Sequence, residues 1–224
     1  MSNIKHALIM AAGRGTRMLP LTNVIPKPMA PYKGSTLIAE GIKKVKPAID
    51  YLHITVGYKG AVLAQHVIEL GVNSVFNTEG KGNAWWIYNT ALAHLNEPIF
   101  VLTADNITEL DFDLLASEYN KYNAPACMVV PVLPINGLEG DYIHHKNNCV
   151  FELNRNKKAA TYCSGIQMLN PYKINQMTDK VDDFYLVWQQ LIAQQQLYCS
   201  DSYPKNWFTV DTIEQLNAIN NQDN

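Results

Sequence analysis

The amino-acid sequence predicts a single-domain α/β fold with a mostly parallel, mixed central sheet flanked by helices. Short apolar runs typical of buried strands alternate with stretches whose apolar residues recur at helical spacing, and this alternation is typical of βαβ units. The chain has 224 residues, of which 47% are hydrophobic, and a single α/β domain commonly reaches this length. No internal repeat and no long linker divides the chain, so we expect one domain over residues 1–224.

Seven apolar runs are candidate strands: Ala7–Met10, Leu52–Val56, Ser74–Phe76, Ile99–Thr103, Cys127–Val132, Cys149–Leu153 and Ile166–Leu169. Four amphipathic stretches between them are candidate helices: Thr36–Val45, Ala61–Leu70, Ala84–Leu95 and Leu110–Tyr122. Right-handed crossovers would bring the carboxyl ends of these strands to one edge of the sheet, where the ligands of open α/β sheets bind.

The last third of the chain is expected to be less regular. Gly137–Thr161 is rich in Gly, Asn, Lys and His and is predicted to be an irregular segment. Helices are expected at Asp182–Gln196 and Thr212–Asn220, the second with Asp211 or Thr212 as its N-cap.

Composition excludes several classes of protein. The formal net charge is −2, which argues against general binding of nucleic acid or of an anionic membrane. The apolar run Ala7–Ala12 is too short for a signal peptide or a membrane span. The four widely spaced cysteines (Cys127, Cys149, Cys163 and Cys199) are expected to be reduced thiols. We therefore expect a cytoplasmic monomer or homodimer with no redox cofactor.

A glycine-rich segment with basic residues follows the first apolar run. Ala11, Ala12, Gly13 and Gly15 are small, so consecutive backbone N–H groups can approach phosphate oxygens closely. Arg14, Arg17 and Lys27 add positive charge. The spacing fits neither GxxxxGK[ST] nor GxGxxG, which excludes a Walker A loop and a dinucleotide fingerprint. The alternative is an ordinary βα turn whose basic residues are solvated.

One carboxylate terminates a strongly apolar strand. Asp105 follows Ile99–Thr103, and an unpaired buried carboxylate there would cost much free energy. A Mg²⁺ ion would explain it, because Mg²⁺ takes one or two carboxylates together with phosphate oxygens. The alternative is that Asp105 forms a turn or caps a helix.

The run AAGRGTRMLPLT, followed by PKPM, resembles the GxGTR(L/M)xPLT…PKP signature of the sugar-phosphate nucleotidyltransferase superfamily. The resemblance implies a Rossmann-like fold and Mg²⁺-dependent transfer of a nucleoside monophosphate from an NTP to a small phosphorylated acceptor. It implies catalytic roles for Arg17, Lys27 and Asp105. It also implies that the NTP is wrapped by Ala11, Ala12, Gly13, Arg14, Gly15 and Thr16.

Further stretches follow in the order that the superfamily has them. Asn77, Gly82 and Asn83 match the loop that holds the base. Asp105 matches the metal-binding aspartate, and Asp211 is the second predicted metal ligand. The resemblance implies a nucleotide-binding part at about 1–110 and an acceptor-binding part at about 111–224. Candidate acceptor-binding residues are Glu152, Ser164, Gly165 and Tyr185.

Two departures from the sugar-enzyme pattern bear on the substrate. Sugar enzymes often have the sequence WxDxGT, which would place the metal aspartate at the position of Thr209. They also usually have a Glu-Lys pair before the acceptor strand, and this pair has no clean match in the corresponding region, which contains Glu152, Arg155, Lys157 and Lys158. The Val-Asp-Thr order resembles choline-phosphate cytidylyltransferase-like members. We therefore predict CTP or UTP as the nucleotide, with CTP preferred. The acceptor is predicted to be a sugar 1-phosphate or a phosphorylated amino compound such as phosphocholine.

Two alternatives stay open at this point. Trp85, Trp86 and Tyr185 could form a cation–π pocket for a quaternary amine, although aromatic residues at helical spacing are more often core. The chain could also be a catalytically inactive nucleotide-binding regulatory module. Such a module should have lost Lys27 or a metal carboxylate, and the sequence retains both.

Overall fold

A nine-stranded sheet forms the centre of the structure, a computed structural model that describes residues 4–135 and 140–221. The strands are β1 (His6–Ala11), β2 (Pro31–Tyr32), β3 (Ser35–Thr36), β4 (Tyr51–Val56), β5 (Ser74–Asn77), β6 (Ile99–Thr103), β7 (Asn106–Glu109), β8 (Cys127–Val132), β9 (Tyr142–Lys146), β10 (Cys149–Asn154), β11 (Tyr162–Leu169), β12 (Leu197–Cys199) and β13 (Asn206–Thr209). The helices are α1 (Leu37–Val45), α2 (Gly60–Glu69), α3 (Trp85–Asn89), α4 (Phe112–Lys121), α5 (Pro171–Met177), α6 (Phe184–Ala193) and α7 (Ile213–Asn221).

The sheet is parallel in one half and mainly antiparallel in the other. Its strand order is β5-β4-β1-β6-β11-β8-β12-β10-β9. The first four strands are parallel, as βαβ crossovers require. Strand β11 then runs antiparallel to both β6 and β8, and only the β8–β12 pair is parallel beyond it. The predicted α/β class and mixed sheet are confirmed, with the parallel pairing concentrated in the N-terminal half.

Both faces of the sheet are covered by helices. Successive residues of a strand point to opposite faces, and β1 accordingly sends Leu8 into one core and Ile9 into the other. The Ile9 side packs against α1, α2 and α4, while the Leu8 side packs against α3, α5 and α6. A third cluster, which includes Met18, Val210 and Leu216, holds α7 against the loop after β1.

The predicted strands are all present, and most predicted helices begin and end close to the expected residues. Ala84–Leu95 is an exception, because α3 ends at Asn89 and a 3₁₀ turn spans Ala91–His94. Thr90 separates them: its hydroxyl donates to the carbonyl of Trp86 and accepts from the amide of Leu92. A local side-chain hydrogen bond thus competes with the continuing helix.

The prediction of an irregular segment over Gly137–Thr161 is wrong for much of its length. Residues 137–139 lie outside the described part, but 142–154 form the antiparallel hairpin β9–β10 at the end of the sheet. Asn147 and Asn148 adopt positive φ in its turn, a conformation that Asn tolerates well. The polar composition of this segment reflects its place at the edge of the sheet and does not indicate a lack of regular secondary structure.

Two smaller observations bear on the expectations from composition. None of the helices within 4–135 and 140–221 has the length and apolar character needed to cross a membrane. All four cysteines are free thiols.

Helix α2 offers a direct test of this packing. Leu63 is fully buried in the core under β1 and β4, whereas the neighbouring Val62 is half exposed. We expect Leu63→Ala to lower the free energy of unfolding by about 2–5 kcal/mol, since it leaves a cavity. The matched control Val62→Ala should change it by less than about 0.5 kcal/mol. Denaturant unfolding measures both, and equal effects would contradict the assigned orientation of α2.

Candidate active site

The loop after β1 is shaped by a close approach at Gly15. This residue has φ +65°, and a Cβ atom on it would lie 2.7 Å from Cβ of Lys27. The hydroxyl of Thr22 donates to the Gly15 carbonyl at 3.1 Å. Only glycine combines this backbone conformation with such proximity, so Gly15 allows Lys27 to pass directly beside the loop.

Lys27 joins two carboxylates from distant parts of the chain. It begins a 3₁₀ turn between Pro26 and Pro28, and its side chain is only 12% exposed. Its Nζ donates to Oδ2 of Asp105 at 2.7 Å and to Oδ1 of Asp211 at 2.8 Å. Arg17 Nη2 lies 2.8 Å from the same oxygen of Asp211. Two acidic and two basic side chains therefore form one cluster.

The two aspartates converge as predicted, but not because both follow strands of the main sheet. Asp105 follows β6, whereas Asp211 follows β13, which pairs only with β7 in a separate two-stranded sheet. Strand β7 starts immediately after Asp105, and the amide of Val210 donates to the Asp105 carbonyl at 3.0 Å. This small sheet brings position 211 beside position 105.

The N-cap of α7 is Thr212, not Asp211. The hydroxyl of Thr212 accepts from the amide of Gln215 at 3.2 Å, and Gln215 Oε1 accepts from the amides of Thr212 and Asp211. This reciprocal arrangement is a capping box. The carboxylate of Asp211 is left to face Lys27 and Arg17, while the Thr209 hydroxyl lies 3.5 Å from it.

Two cavities meet at this charged cluster. One, of about 460 Å³, lies over the loop after β1 and is lined by Ala11, Ala12, Gly13, Gly15, Thr16 and Lys27 among others. The second, of about 600 Å³, extends over β11 toward Trp207. Both cavities are lined by Arg17, Thr103, Asp105 and Asp211. Groups bound in the two cavities would therefore face each other across the cluster.

The far wall of the first cavity is a loop fastened to the start of α6. A Cβ atom on Gly82 would lie 2.1 Å from the Asp182 carbonyl oxygen, and the amide of Ala84 donates to the same oxygen at 2.9 Å. Oδ1 of Asn83 accepts from the amide of Phe184 at 2.8 Å. Gly82 and Asn83 both line the cavity. The same two residues hold the loop against Asp182 and Phe184.

Asn77, the predicted reader of the base, does not line the cavity. It is exposed, and its Oδ1 accepts from the amide of Glu79 at 3.0 Å. The next residue, Thr78, is buried and lines the cavity together with Gly80 and Trp86. Successive side chains at the end of β5 point in opposite directions. The motif match did not indicate whether Asn77 or Thr78 points toward the cavity.

Arg14 also lies away from both linings. Its guanidinium carbon is 5.3 Å from the ring centroid of Tyr58, in a cation–π contact. Of the two arginines in the loop, only Arg17 reaches the charged cluster.

The second cavity contains two of the four predicted acceptor residues. Ser164 and Gly165 line it, and Gly165, with φ +81°, lies against Thr103. Glu152 instead pairs with Lys157 at 2.7 Å, an ion pair that lowers the pKa of its carboxyl. Tyr185 is exposed in the first turn of α6 and lines neither cavity.

Several residues of the second cavity had no predicted role. Asn106 and Trp207 both donate to the Ser164 carbonyl, at 2.9 and 3.1 Å, and so tie the β7–β13 sheet to β11. Arg155 and Tyr162 complete the polar and aromatic lining. Asn106 could have been suspected from its position after Asp105. Trp207 corresponds to the Trp of the WxDxGT pattern, and Arg155 lies in the region of the missing Glu-Lys pair, but neither position indicated a role in this cavity.

The thiol of Cys163 also lines this cavity. Burial, with a smaller contribution from Asp141, raises its pKa well above the usual range. The thiol is therefore neutral and unsuited to nucleophilic chemistry.

The alternative of an aromatic pocket formed by Trp85, Trp86 and Tyr185 is not supported, because these side chains do not come together. Trp86 is buried in the wall of the first cavity, Tyr185 is exposed on α6, and Trp85 has Lys81 Nζ 5.6 Å from its ring centroid. The aromatic side chains of the second cavity are instead Tyr162 and Trp207, in edge-to-face contact at 6.1 Å.

Comparison with models of protein families identifies the family to which this chain belongs. A family model described as "Nucleotidyl transferase" matches residues 6–137, which is more than half of the chain. The chain belongs to the nucleotidyl transferase family. The matched region contains the loop after β1, Lys27 and Asp105, and the superfamily inferred from the loop motif is confirmed.

Curated relatives extend this similarity to most of the chain. It is 25% identical over 214 residues to "Mannose-1-phosphate guanylyltransferase catalytic subunit beta" of Drosophila melanogaster, covering 89% of this chain and 58% of the relative. It is 25% identical over 210 residues to "Mannose-1-phosphate guanyltransferase" of Schizosaccharomyces pombe, covering 87% and 58%. The chain thus spans less than two thirds of the length of these relatives.

Solved structures show the same fold. A putative glucose-1-phosphate thymidylyltransferase from Bacillus anthracis matches with a TM-score of 0.80 at 18% identity, covering 97% of this chain and 94% of the other. The CTP:phosphocholine cytidylyltransferase from Streptococcus pneumoniae matches with a TM-score of 0.76 at 20% identity, covering 99% and 100%. At these identities the likeness establishes the fold alone.

The capping box gives a prediction that separates Thr212 from Asp211. We expect Thr212→Ala to lower the free energy of unfolding by about 1 kcal/mol, because α7 loses its side-chain cap. Gln215→Ala breaks the same capping box, so its loss and that of Thr212→Ala should not add in the double variant, whereas Asp211→Asn removes the ion pairs with Lys27 and Arg17 and its loss should add to that of Thr212→Ala. Thermal and urea unfolding of the single and double variants measure these losses. Additive losses for Thr212→Ala and Gln215→Ala would contradict this division of roles.

Proposed function

We propose that this chain transfers a nucleoside monophosphate from an NTP to a small phosphorylated acceptor and releases pyrophosphate. The NTP occupies the cavity over the loop after β1, and the acceptor occupies the cavity over β11. The observation that carries the proposal is that both cavities are lined by Arg17, Asp105 and Asp211, while Lys27, in the wall of the first cavity, pairs with both carboxylates. This layout also supports the predicted division into a nucleotide-binding part and an acceptor-binding part.

The chemistry requires neutralisation of charge and alignment more than a general base. The acceptor phosphate is already a nucleophile, and both substrates are anions that repel each other. Arg17 lines both cavities, and Lys27 lines the first beside the carboxylates that the cavities share. Together they can bind the α-phosphate and stabilise the attacking phosphate. Fixed positive groups of this kind stabilise the charge that develops during the transfer.

The proposed cofactor is Mg²⁺, with Asp105 and Asp211 as its protein ligands. The donor set fits, because both carboxylates already converge on a single cationic atom, Nζ of Lys27. Mg²⁺ typically takes one or two carboxylates plus substrate phosphates. When bound, it would neutralise phosphate charge and orient the phosphate oxygens.

The proposal also concerns which nucleotide and which acceptor the chain uses. The predicted preference for CTP or UTP rested on Asn77 and Gly82 in the base loop and on the Val-Asp-Thr order. Of the two loop residues, only Gly82 lines the cavity. Sequence relatives named as mannose-1-phosphate guanylyltransferases make GTP the rival nucleotide and favour a sugar 1-phosphate as acceptor. Phosphocholine remains the second candidate acceptor, supported by the Val-Asp-Thr order and by the aromatic rings of Tyr162 and Trp207. The monomeric or homodimeric state and the cytoplasmic location stay predictions from the sequence.

The direct test is a pyrophosphate-release screen that crosses the four NTPs with sugar 1-phosphates, phosphocholine and related phosphomonoesters. We expect release only when NTP, acceptor and Mg²⁺ are all present. Isothermal titration with each NTP identifies the preferred base. Nucleotide binding without pyrophosphate release across the whole panel would favour the alternative of an inactive regulatory module.

Lys27 provides the sharpest test of mechanism. Lys27→Ala should lower turnover by roughly 10²-fold or more, because the transferring phosphate loses a charge-stabilising donor, and Arg17→Ala should also lower it. Lys43→Ala is the matched control, since Lys43 is an exposed lysine on α1 whose partner is Glu40 at 3.9 Å. Near-normal turnover of a folded Lys27→Ala protein would remove Lys27 from the mechanism.

A further inference from the structure

The carboxylates of Asp105 and Asp211 already have a full set of counter-charges in the structure. Lys27 Nζ lies 2.7 Å from one and 2.8 Å from the other, and Arg17 lies 2.8 Å from Asp211. The side chains of Lys27 and Asp211 are 12% and 13% exposed, so water screens this contact weakly. The formal charges of the four side chains cancel.

A divalent cation would find few additional ligands in this place. Within the part of the chain that the structure describes, no group of three or more His, Cys, Asp or Glu side chains could hold a metal ion. An ion bound by Asp105 and Asp211 alone would also lie within a few ångströms of the Lys27 ammonium and be repelled by it. Both features disfavour metal binding in the absence of another anion.

A bound triphosphate would change both features. Lys27 lines the same cavity as Gly13, Gly15 and Thr16, so phosphate oxygens there would offer its ammonium a new partner. The lysine stem is flexible and can follow that partner. The same phosphates would provide the oxygen ligands that the two carboxylates cannot supply alone.

We propose that Lys27 is a gate for the metal: without nucleotide, its ammonium occupies the shared face of Asp105 and Asp211 and excludes a divalent cation. A triphosphate opens the gate by drawing the ammonium onto its phosphate oxygens. The metal therefore binds with or after the nucleotide and not before it. This inference rests on the proposed function in one respect, namely that Asp105 and Asp211 are the metal ligands.

The experiment measures Mn²⁺ binding to the full chain without nucleotide, from the electron paramagnetic resonance signal of free Mn²⁺. We expect weak binding to the wild type and binding at least about ten-fold tighter to Lys27→Met. The variant removes the positive charge that contacts both carboxylates, while Arg17, which contacts Asp211, remains. Lys27→Arg, which keeps the charge, and Lys43→Met, an exposed-lysine control, should both bind as weakly as the wild type.

A double variant shows where the ion binds. Adding Asp105→Asn to Lys27→Met should abolish the gain in Mn²⁺ affinity. The proposal is overturned if Lys27→Met binds Mn²⁺ no more tightly than the wild type, or if the double variant keeps the gain. Lys27→Gln serves the same purpose if Lys27→Met does not fold, which circular dichroism would reveal.

These outcomes are independent of turnover. A gain in Mn²⁺ affinity in a protein that releases no pyrophosphate with any NTP and acceptor would support the gate and reject the proposed function. An active enzyme whose Lys27→Met variant binds Mn²⁺ no better than the wild type would support the proposed function and reject the gate.

Discussion

The ion pairs of Lys27 with Asp105 and Asp211 are the interaction on which the rest of this site depends. They connect the turn after the glycine-rich loop, the end of the central parallel strand β6 and the segment that leads into α7. Burying three charged side chains together costs desolvation free energy, and that cost is offset only when the charges are paired with good geometry. The cluster thus requires three distant segments to be placed correctly at once.

The division of the sheet explains why two cavities meet at this cluster. In the parallel half, crossover connections place the loops after β1 and β6 at one edge, and a cavity forms over them. Strand β11 runs antiparallel to β6, so the chain passes the same edge in the opposite direction and supplies Ser164 and Gly165. The reversal of strand direction at β6–β11 separates one cavity from the other while keeping them adjacent.

Contacts across the chain also position the loop that contains Gly82 and Asn83. Gly82 packs against the carbonyl of Asp182, and Asn83 accepts from the amide of Phe184, so the start of α6 supports the wall of the first cavity. Trp188 on the same helix donates to Gln167 of β11 at 3.0 Å. A change in α6 would therefore affect both cavities, although the helix itself lines neither.

Much of the fold and part of the site follow from the sequence, because they depend on local patterns. Apolar runs and helical periodicity located the predicted strands and most helices, since burial of apolar side chains dominates those elements. The glycine-rich loop was recognisable because its small residues, basic residues and prolines occur in a fixed order. The sequence also singled out Lys27, Asp105 and Asp211, whose side chains meet in the structure, and their catalytic and metal-binding roles stay predictions.

Tertiary structure decided what depends on pairing between distant segments. The β7–β13 sheet, which brings Asp211 to Asp105, leaves little local signal, because two four-residue strands gain their stability from each other. Whether Asn77 or Thr78 faces the cavity is a question of strand orientation, and only the packing of β5 answers it. Arg14 and Arg17 both lie in the glycine-rich loop, and Tyr58 engages one while Asp211 engages the other. The sequence by itself determined which residue types are available for phosphate chemistry, and the three-dimensional contacts selected the ones that meet.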